Sequence, residues 1–285
     1  MKKFKRIFIF VPIFILLCLI FQKDNFIIAK EEKLKYEENS VLALNYHRIR
    51  DDSFLDKFLS VFSNSKELYA YSVTRNQFEA QIKWLKKQNA HFLTEEELLK
   101  YKRQGEFPKR SVWINFDDMD NSIYRNAHPI LKKYDVPATG FVITGEVGSK
   151  DFHNLNIATE EELIEMKESG IWSFSSHTHD LHTLHKNGDS KLISSSTNAL
   201  TADLKKSNQY LKEKLGIKNQ TLAYPYGQMR ESKIVGLKNA DIKYGYTLEE
   251  RAITPDHNDY YLPRILVSEE AFNTLIKKWE GFKNE

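Results

Sequence analysis

Ser111-Val112-Trp113-Ile114-Asn115-Phe116-Asp117-Asp118 decides the fold, because a strand-forming run leads straight into a pair of carboxylates. A strand over Ser111–Phe116 is followed by a helical pattern at 123–134, with Pro129 near its start, and by a second apolar strand at 138–143. Further on, Thr159 with Glu162 forms a capping box that opens a helix, and Gly170 closes it. Strands follow at 171–176, 221–224, 244–248 and 264–267, with a long helix ending near Gly216 and a last one at 269–279. Upstream, Val41–Tyr46 reads as a strand, and Phe78, Ile82 and Leu85 recur at helical spacing within 75–88. Thr94 with Glu97 is another capping box, its helix stopped by Gly105. About seven strands separated by helices predict an α/β protein, a parallel barrel or sheet. There is no internal repeat and no low-complexity tract.

Charge separates the chain into an address and a body. Its 285 residues carry 42 basic and 39 acidic groups, one cysteine and 41% apolar content. That is too polar for a multi-span membrane protein and too apolar for disorder. Residues 1–6 are cationic and 7–21 form an apolar run broken by Pro12, the order of a secretory signal peptide. A signal peptide is therefore expected at 1–29, a linker at 30–40 and one folded domain at 41–285. The cleavage mark at Ile27-Ile28-Ala29 is weak, so a retained anchor is the alternative, although a span needs about 20 apolar residues. Cys18 reads as one more apolar residue of the leader, and no cysteine follows it. An exported body without disulfides must be held by its core. Beyond residue 29 there are 37 basic and 38 acidic groups, so the clustered positive charge of a nucleic-acid binder is absent.

In α/β proteins the chemistry collects at the carboxyl ends of the strands. There the sequence places His47, the Asp117-Asp118 pair, the segment His177-Thr178-His179-Asp180-Leu181-His182, and Tyr224-Pro225-Tyr226-Gly227. Neighbouring strand residues point to opposite faces, so Asp117 and Asp118 can share a site only beyond the strand end. Two close carboxylates repel unless a cation or a proton separates them. One would ligate a metal while the other serves as base; the bland reading is a helix cap and a turn. Four of the nine histidines (His177, His179, His182 and His185) fall within nine positions. A catalytic metal site needs nitrogen and oxygen ligands and an open position. His177 with His182 fits a loop around an ion, and His177 with His179 fits an extended segment, so spacing leaves the pair open.

Together these motifs resemble the polysaccharide deacetylases of carbohydrate esterase family 4. Leu44-Asn45-Tyr46-His47-Arg48 and Tyr261-Leu262-Pro263-Arg264-Ile265 resemble the intercellular adhesion protein B branch, which acts on poly-β-1,6-N-acetylglucosamine. The resemblance covers essentially the whole body. It implies a distorted (β/α) barrel and a divalent-metal amide hydrolase that deacetylates an exported glycan tied to biofilm and adhesion. By the same resemblance Asp118, His177 and His182 match the metal ligands, Asp117 the general base, and the Tyr226 backbone N–H the oxyanion donor. Zinc is expected first, with cobalt, nickel or iron also admitted by such a ligand set. Two departures matter. Many members carry an arginine where this chain has Tyr224, which leaves Arg264 to orient the base. The Leu-x-His motif expected near the end is missing, and His257 lies in the polar run Pro255-Asp256-His257-Asn258. His47 resembles the general acid of a rearranged branch.

The expected product is a partly cationic polysaccharide, made by a monomer that is secreted and kept at the cell surface or wall. Other readings are a deacetylase of peptidoglycan or chitin oligomers, a surface glycan-binding protein without turnover, and a metal-dependent phosphoesterase. Trp113, Trp172 and Trp279 could stack on sugars, but the first two sit in strands and the core is the better expectation for them. His179 is expected only as a wall of the site.

Overall fold

The alternation of strand and helix is present in the computed structural model, which describes residues 34–52 and 72–283. In chain order come β1 (Val41–Tyr46), β2 (Arg48–Arg50), β3 (Ser72–Thr74), α1 (Arg75–Lys87), β4 (His91–Phe92), α2 (Glu95–Gln104) and β5 (Ser111–Phe116). A π-helical turn at Ile123–Ala127 runs into α3 (His128–Tyr134), followed by β6 (Ala138–Val142), α4 (Glu160–Glu168) and β7 (Trp172–Ser176). After them lie α5 (Lys191–Ser194), α6 (Thr197–Leu215), β8 (Thr221–Ala223), α7 (Ile234–Asn239), β9 (Tyr244–Tyr246), β10 (Ile265–Leu266) and α8 (Glu269–Ala271). The expected leader at 1–29 lies outside the described residues. Residues 34–40, inside the expected linker, lie against the domain. Leu34 is buried, Tyr36 meets the edge of Trp279, and Asn39 bonds Gly105 and Phe107.

Seven strands run in the order β10-β1-β5-β6-β7-β8-β9, with β4 also beside β5. Their pairings are parallel. One short segment joins the two ends of this sheet. On one side Leu262 N–H donates to the Gly245 carbonyl and Glu249 N–H to that of Arg264, each at 2.9 Å. On the other side Ile265 pairs with Leu44, and Val267 N–H donates to the Asn45 carbonyl at 2.9 Å. The sheet therefore curls into the distorted barrel that the sequence led us to expect, with Arg264 on the joining segment.

Period-two alternation sorts the core into two layers. Leu42, Leu44, Tyr46, Val112, Ile114 and Phe116 pack outward in the larger cluster, with Phe78, Ile82 and Leu85 of α1. Val41, Ala43 and Trp113 pack inward with Phe141, Ala223, Tyr246 and Leu262. Continuing toward the carboxyl ends, the same inward register reaches Asn45, Asn115 and Asp117 and turns polar. Trp113 and Trp172 are buried, as the core reading holds, and Trp279, left open for sugar stacking, is buried in the core as well.

Local signals explain most helix ends. Both expected capping boxes are present, and a third joins Thr74 to Gln77 at the start of α1. Gly105 and Gly216 take the left-handed conformation that stops α2 and α6. The helix expected over 123–134 opens instead as a wider π turn. Ser122 and Asn126 at that turn satisfy both backbone groups of Ile49 in β2, at 3.2 and 2.7 Å. The last helix, expected over 269–279, passes from α8 into a second π turn at Phe272–Ile276.

Candidate active site

The chain turns sharply just past β5. Asp117 N–H still donates to the Tyr46 carbonyl at 3.0 Å, so its side chain keeps the inward register. Asp118 and Met119 then adopt φ of +65° and +59°. That left-handed step lets two consecutive carboxylates face one site, which a straight strand forbids. A second such step follows β7, where Thr178 has φ +75°. A β-branched residue pays about 1–3 kcal/mol for that conformation, and such strain persists where the surroundings enforce it.

These turns bring together the ligand set expected from the resemblance. Asp118 Oδ1 lies 3.4 Å from His177 Nε2 and 3.2 Å from His182 Nε2. One ligand atom from each of the three residues lies within 4.8 Å of the others, and all three residues are buried. The Ala223 carbonyl accepts from His177 Nδ1 at 2.8 Å, which assigns the proton to Nδ1 and turns the Nε2 lone pair into the site. Asp118 Oδ1 is buried without a hydrogen-bond donor among the described residues. A buried carboxylate oxygen facing two imidazole nitrogens is satisfied by a cation, so these residues fit a divalent metal.

The electrostatics agree. Burial works against charge on Asp118, but His182 and His177 outweigh it and hold its pKa well below the carboxylate range. Burial likewise opposes a charged His177, yet Asp117 and Asp118 raise its pKa above the ordinary value. The centre thus favours added positive charge.

Asp117 stands beside this trio, its Oδ2 3.9 Å from His177 Nε2, and is clamped by Arg264. The guanidinium donates from Nη1 to Asp117 Oδ1 at 2.6 Å and from Nη2 to Oδ2 at 2.8 Å. Its Nη1 also reaches Asn115 Oδ1 at 3.0 Å, and Nε reaches the Thr247 carbonyl at 3.3 Å. Phe141 and Tyr246 present their rings 5.1 and 5.9 Å from its central carbon. Burial raises the Asp117 pKa, but Arg264 and His177 more than offset it, so the carboxylate is kept ionised.

His47, just past β1, places Nε2 3.9 Å from Asp117 Oδ2. Its pKa is lowered by burial first, with Asp117 and Asp118 opposing. After β8, Tyr226 has φ +59° and its ring lies 4.9 Å from that of His182. Its hydroxyl is pushed up to about 12 by burial and then by the Asp118 charge. Gly227 and Gln228 donate their N–H groups back to Tyr224 and Pro225, while no acceptor for the Tyr226 N–H lies among the described residues.

Other candidates stand elsewhere. His179 Nδ1 meets Thr144 Oγ1 at 3.0 Å, His185 bonds Ser194, and His257 bonds Thr254. Tyr224 is buried with its hydroxyl on the Tyr260 carbonyl. Sequence reasoning gave no role to Asn45 and Asn115, which pair side by side at 3.0 Å beneath Arg264. The signal was available: each is a lone amide at an inward position of an otherwise apolar strand.

Comparison with known proteins agrees with this geometry. Residues 104–245 match the family model described as "Polysaccharide deacetylase". A poly-beta-1,6-N-acetyl-D-glucosamine N-deacetylase of Staphylococcus aureus is 57% identical over 251 residues, covering 88% of this chain and 87% of the relative. One of the same name from Staphylococcus epidermidis is 55% identical over 259 residues, 90% of each. Among solved structures, IcaB from Ammonifex degensii superposes with a TM-score of 0.72 at 27% identity, over 86% of this chain and 98% of that one. With more than half its residues shared over nearly nine-tenths of its length, this chain belongs to the polysaccharide deacetylases, in the branch of the poly-beta-1,6-N-acetyl-D-glucosamine N-deacetylases.

Proposed function

We propose that this protein hydrolyses N-acetyl groups of poly-β-1,6-N-acetylglucosamine at a metal centre held by Asp118, His177 and His182. The observation that carries this reading is the buried Asp-His-His trio beside an arginine-clamped second carboxylate. Zinc suits two imidazoles and a carboxylate best, and cobalt, nickel or iron fit the same donors. Bound there, a divalent ion supplies Lewis acidity to the acetyl carbonyl and makes water more acidic.

The remaining steps belong to side chains and backbone. Asp117, ionised and fixed by Arg264, takes the proton of the attacking water. The Tyr226 N–H donates to the oxyanion that develops on the acetyl oxygen. His47 delivers a proton to the departing amine. Its Nε2 stands 3.9 Å from Asp117 Oδ2, on the side of the site where the base takes its proton. Acetate and a free amine are the products. The charged-then-apolar leader supports secretion, with retention at the cell surface or wall.

His47→Asn should keep full metal content while acetamide hydrolysis falls by roughly 10²-fold. An acetate ester, whose alcohol leaves with less need of a proton, should lose less. Equal losses on amide and ester would remove His47 from the acid role. The substrate assignment is tested with β-1,6- and β-1,4-linked N-acetylglucosamine oligomers of equal length. Faster acetate release from the β-1,6 series is expected. A preference for the β-1,4 series would move the assignment to chitin or peptidoglycan-type glycans.

A further inference from the structure

Between the two ligand histidines lie four residues whose backbone is pinned from two sides. From the loop after β6, Thr144 N–H donates to the Thr178 carbonyl at 3.1 Å, and Gly145 N–H to the His179 carbonyl at 3.2 Å. From α6, Asp203 accepts the next two N–H groups, that of His179 on Oδ2 at 2.9 Å and that of Asp180 on Oδ1 at 2.7 Å. Asp203 is only 6% exposed, although it sits mid-helix and touches none of the reacting groups. Thr178 N–H reaches Ser176 Oγ at 3.1 Å, and that hydroxyl meets Ser207 of α6 at 2.8 Å. The opposite jaw has no room to spare. A Cβ on Gly145 would stand 2.6 Å from both the His179 carbonyl oxygen and Asp180 Oδ1.

We propose that Asp203 is a positioning residue for the metal centre: its carboxylate and the close-packed Gly145 clamp the 178–181 turn, so that His177 and His182 converge on Asp118. The proposal rests on reading those three residues as the ligands. The physical reason is geometric. Two successive N–H groups pointing one way form a concave donor pair, and one carboxylate satisfies both with its two oxygens. The turn carries a left-handed Thr178, so a loosened turn relaxes away from it and carries His182 off its ligand position. An amide at position 203 accepts one N–H and turns its own NH2 against the other. Groups that orient ligands from behind typically change metal affinity by roughly 10–100-fold.

The test is a zinc titration of metal-stripped protein against a chromophoric chelator, for wild type, Asp203→Asn and Gly145→Ala. Both variants are expected to bind zinc roughly 10–100-fold more weakly, with an altered visible spectrum of the cobalt-loaded form. Saturating zinc should return turnover to within a few-fold of wild type. Affinity within twofold of wild type in both variants would overturn the proposal, whatever happens to the melting temperature. Should Asp203→Asn fail to fold, Gly145→Ala decides alone. A wild type that takes up no metal overturns the ligand reading and this proposal with it. A wild type that binds zinc but releases no acetate overturns the deacetylase reading only, and the affinities still decide the role of Asp203.

Discussion

Alanine at His182 is expected to leave the protein folded, strip it of metal and abolish turnover. The side chain contributes Nε2 to the trio, and its other ring nitrogen has no hydrogen-bond partner among the described residues, so its loss removes no hydrogen bond seen to support the barrel. Lewis acidity at the acetyl carbonyl is worth several kcal/mol, hence a loss of at least about 10³-fold. His177→Ala should fail equally in metal binding but with a lower melting temperature. His177 is fully buried and bonded to Ala223, so a cavity and an unmet carbonyl remain. Metal analysis beside thermal unfolding checks both. Stoichiometric metal in either variant would displace that histidine from the ligand set.

Asp117→Asn should behave in the opposite way. The metal stays, because Asp118 and the two histidines are untouched, while removal of the base cuts turnover by roughly 10²–10⁴-fold. The same change leaves the Arg264 cation buried opposite a neutral amide, and breaking a buried pair in this way costs about 3–5 kcal/mol. A stable, metal-free Asp117→Asn protein would show that Asp117 and Asp118 have exchanged roles. A pH signature accompanies the pair. The folded pKa of Asp117 lies below its ordinary value, so the stabilisation is complete above about pH 4 and is lost as pH falls through the folded value. Denaturant melts of metal-free wild type should therefore weaken on acidification more steeply than those of Asp117→Asn.

What could be read in advance follows from the range of the forces involved. β1 and β5 were legible because each buries six residues in a row, and α2 and α4 because their capping boxes are local. β2 and β3 were not, since three residues carry no periodicity. The π turn at Ile123–Ala127 answers to Ile49, a partner over seventy positions away. In the site, Asp117, Asp118, His177 and His182 stood in compact motifs at strand ends. Arg264 was found only as the substitute for an arginine missing at Tyr224, and its bidentate bond to Asp117 spans 147 positions. Asp203 gave no sign at all. Within Thr197–Leu215 it reads as an ordinary polar residue of a long helix, and only the packing of α6 against the turn after β7 gives it two donors.

The central claim is that metal held by Asp118, His177 and His182 makes this chain an amide hydrolase of an acetylated polyglucosamine. The direct measurement is acetate released from poly-β-1,6-N-acetylglucosamine by protein stripped with chelator and then resupplied with zinc. The stripped protein should release none, and about one equivalent of zinc per chain should restore release in wild type but not in His182→Ala. Release by the stripped protein at the untreated rate, or a zinc-loaded wild type that binds the polymer and frees no acetate, would contradict it.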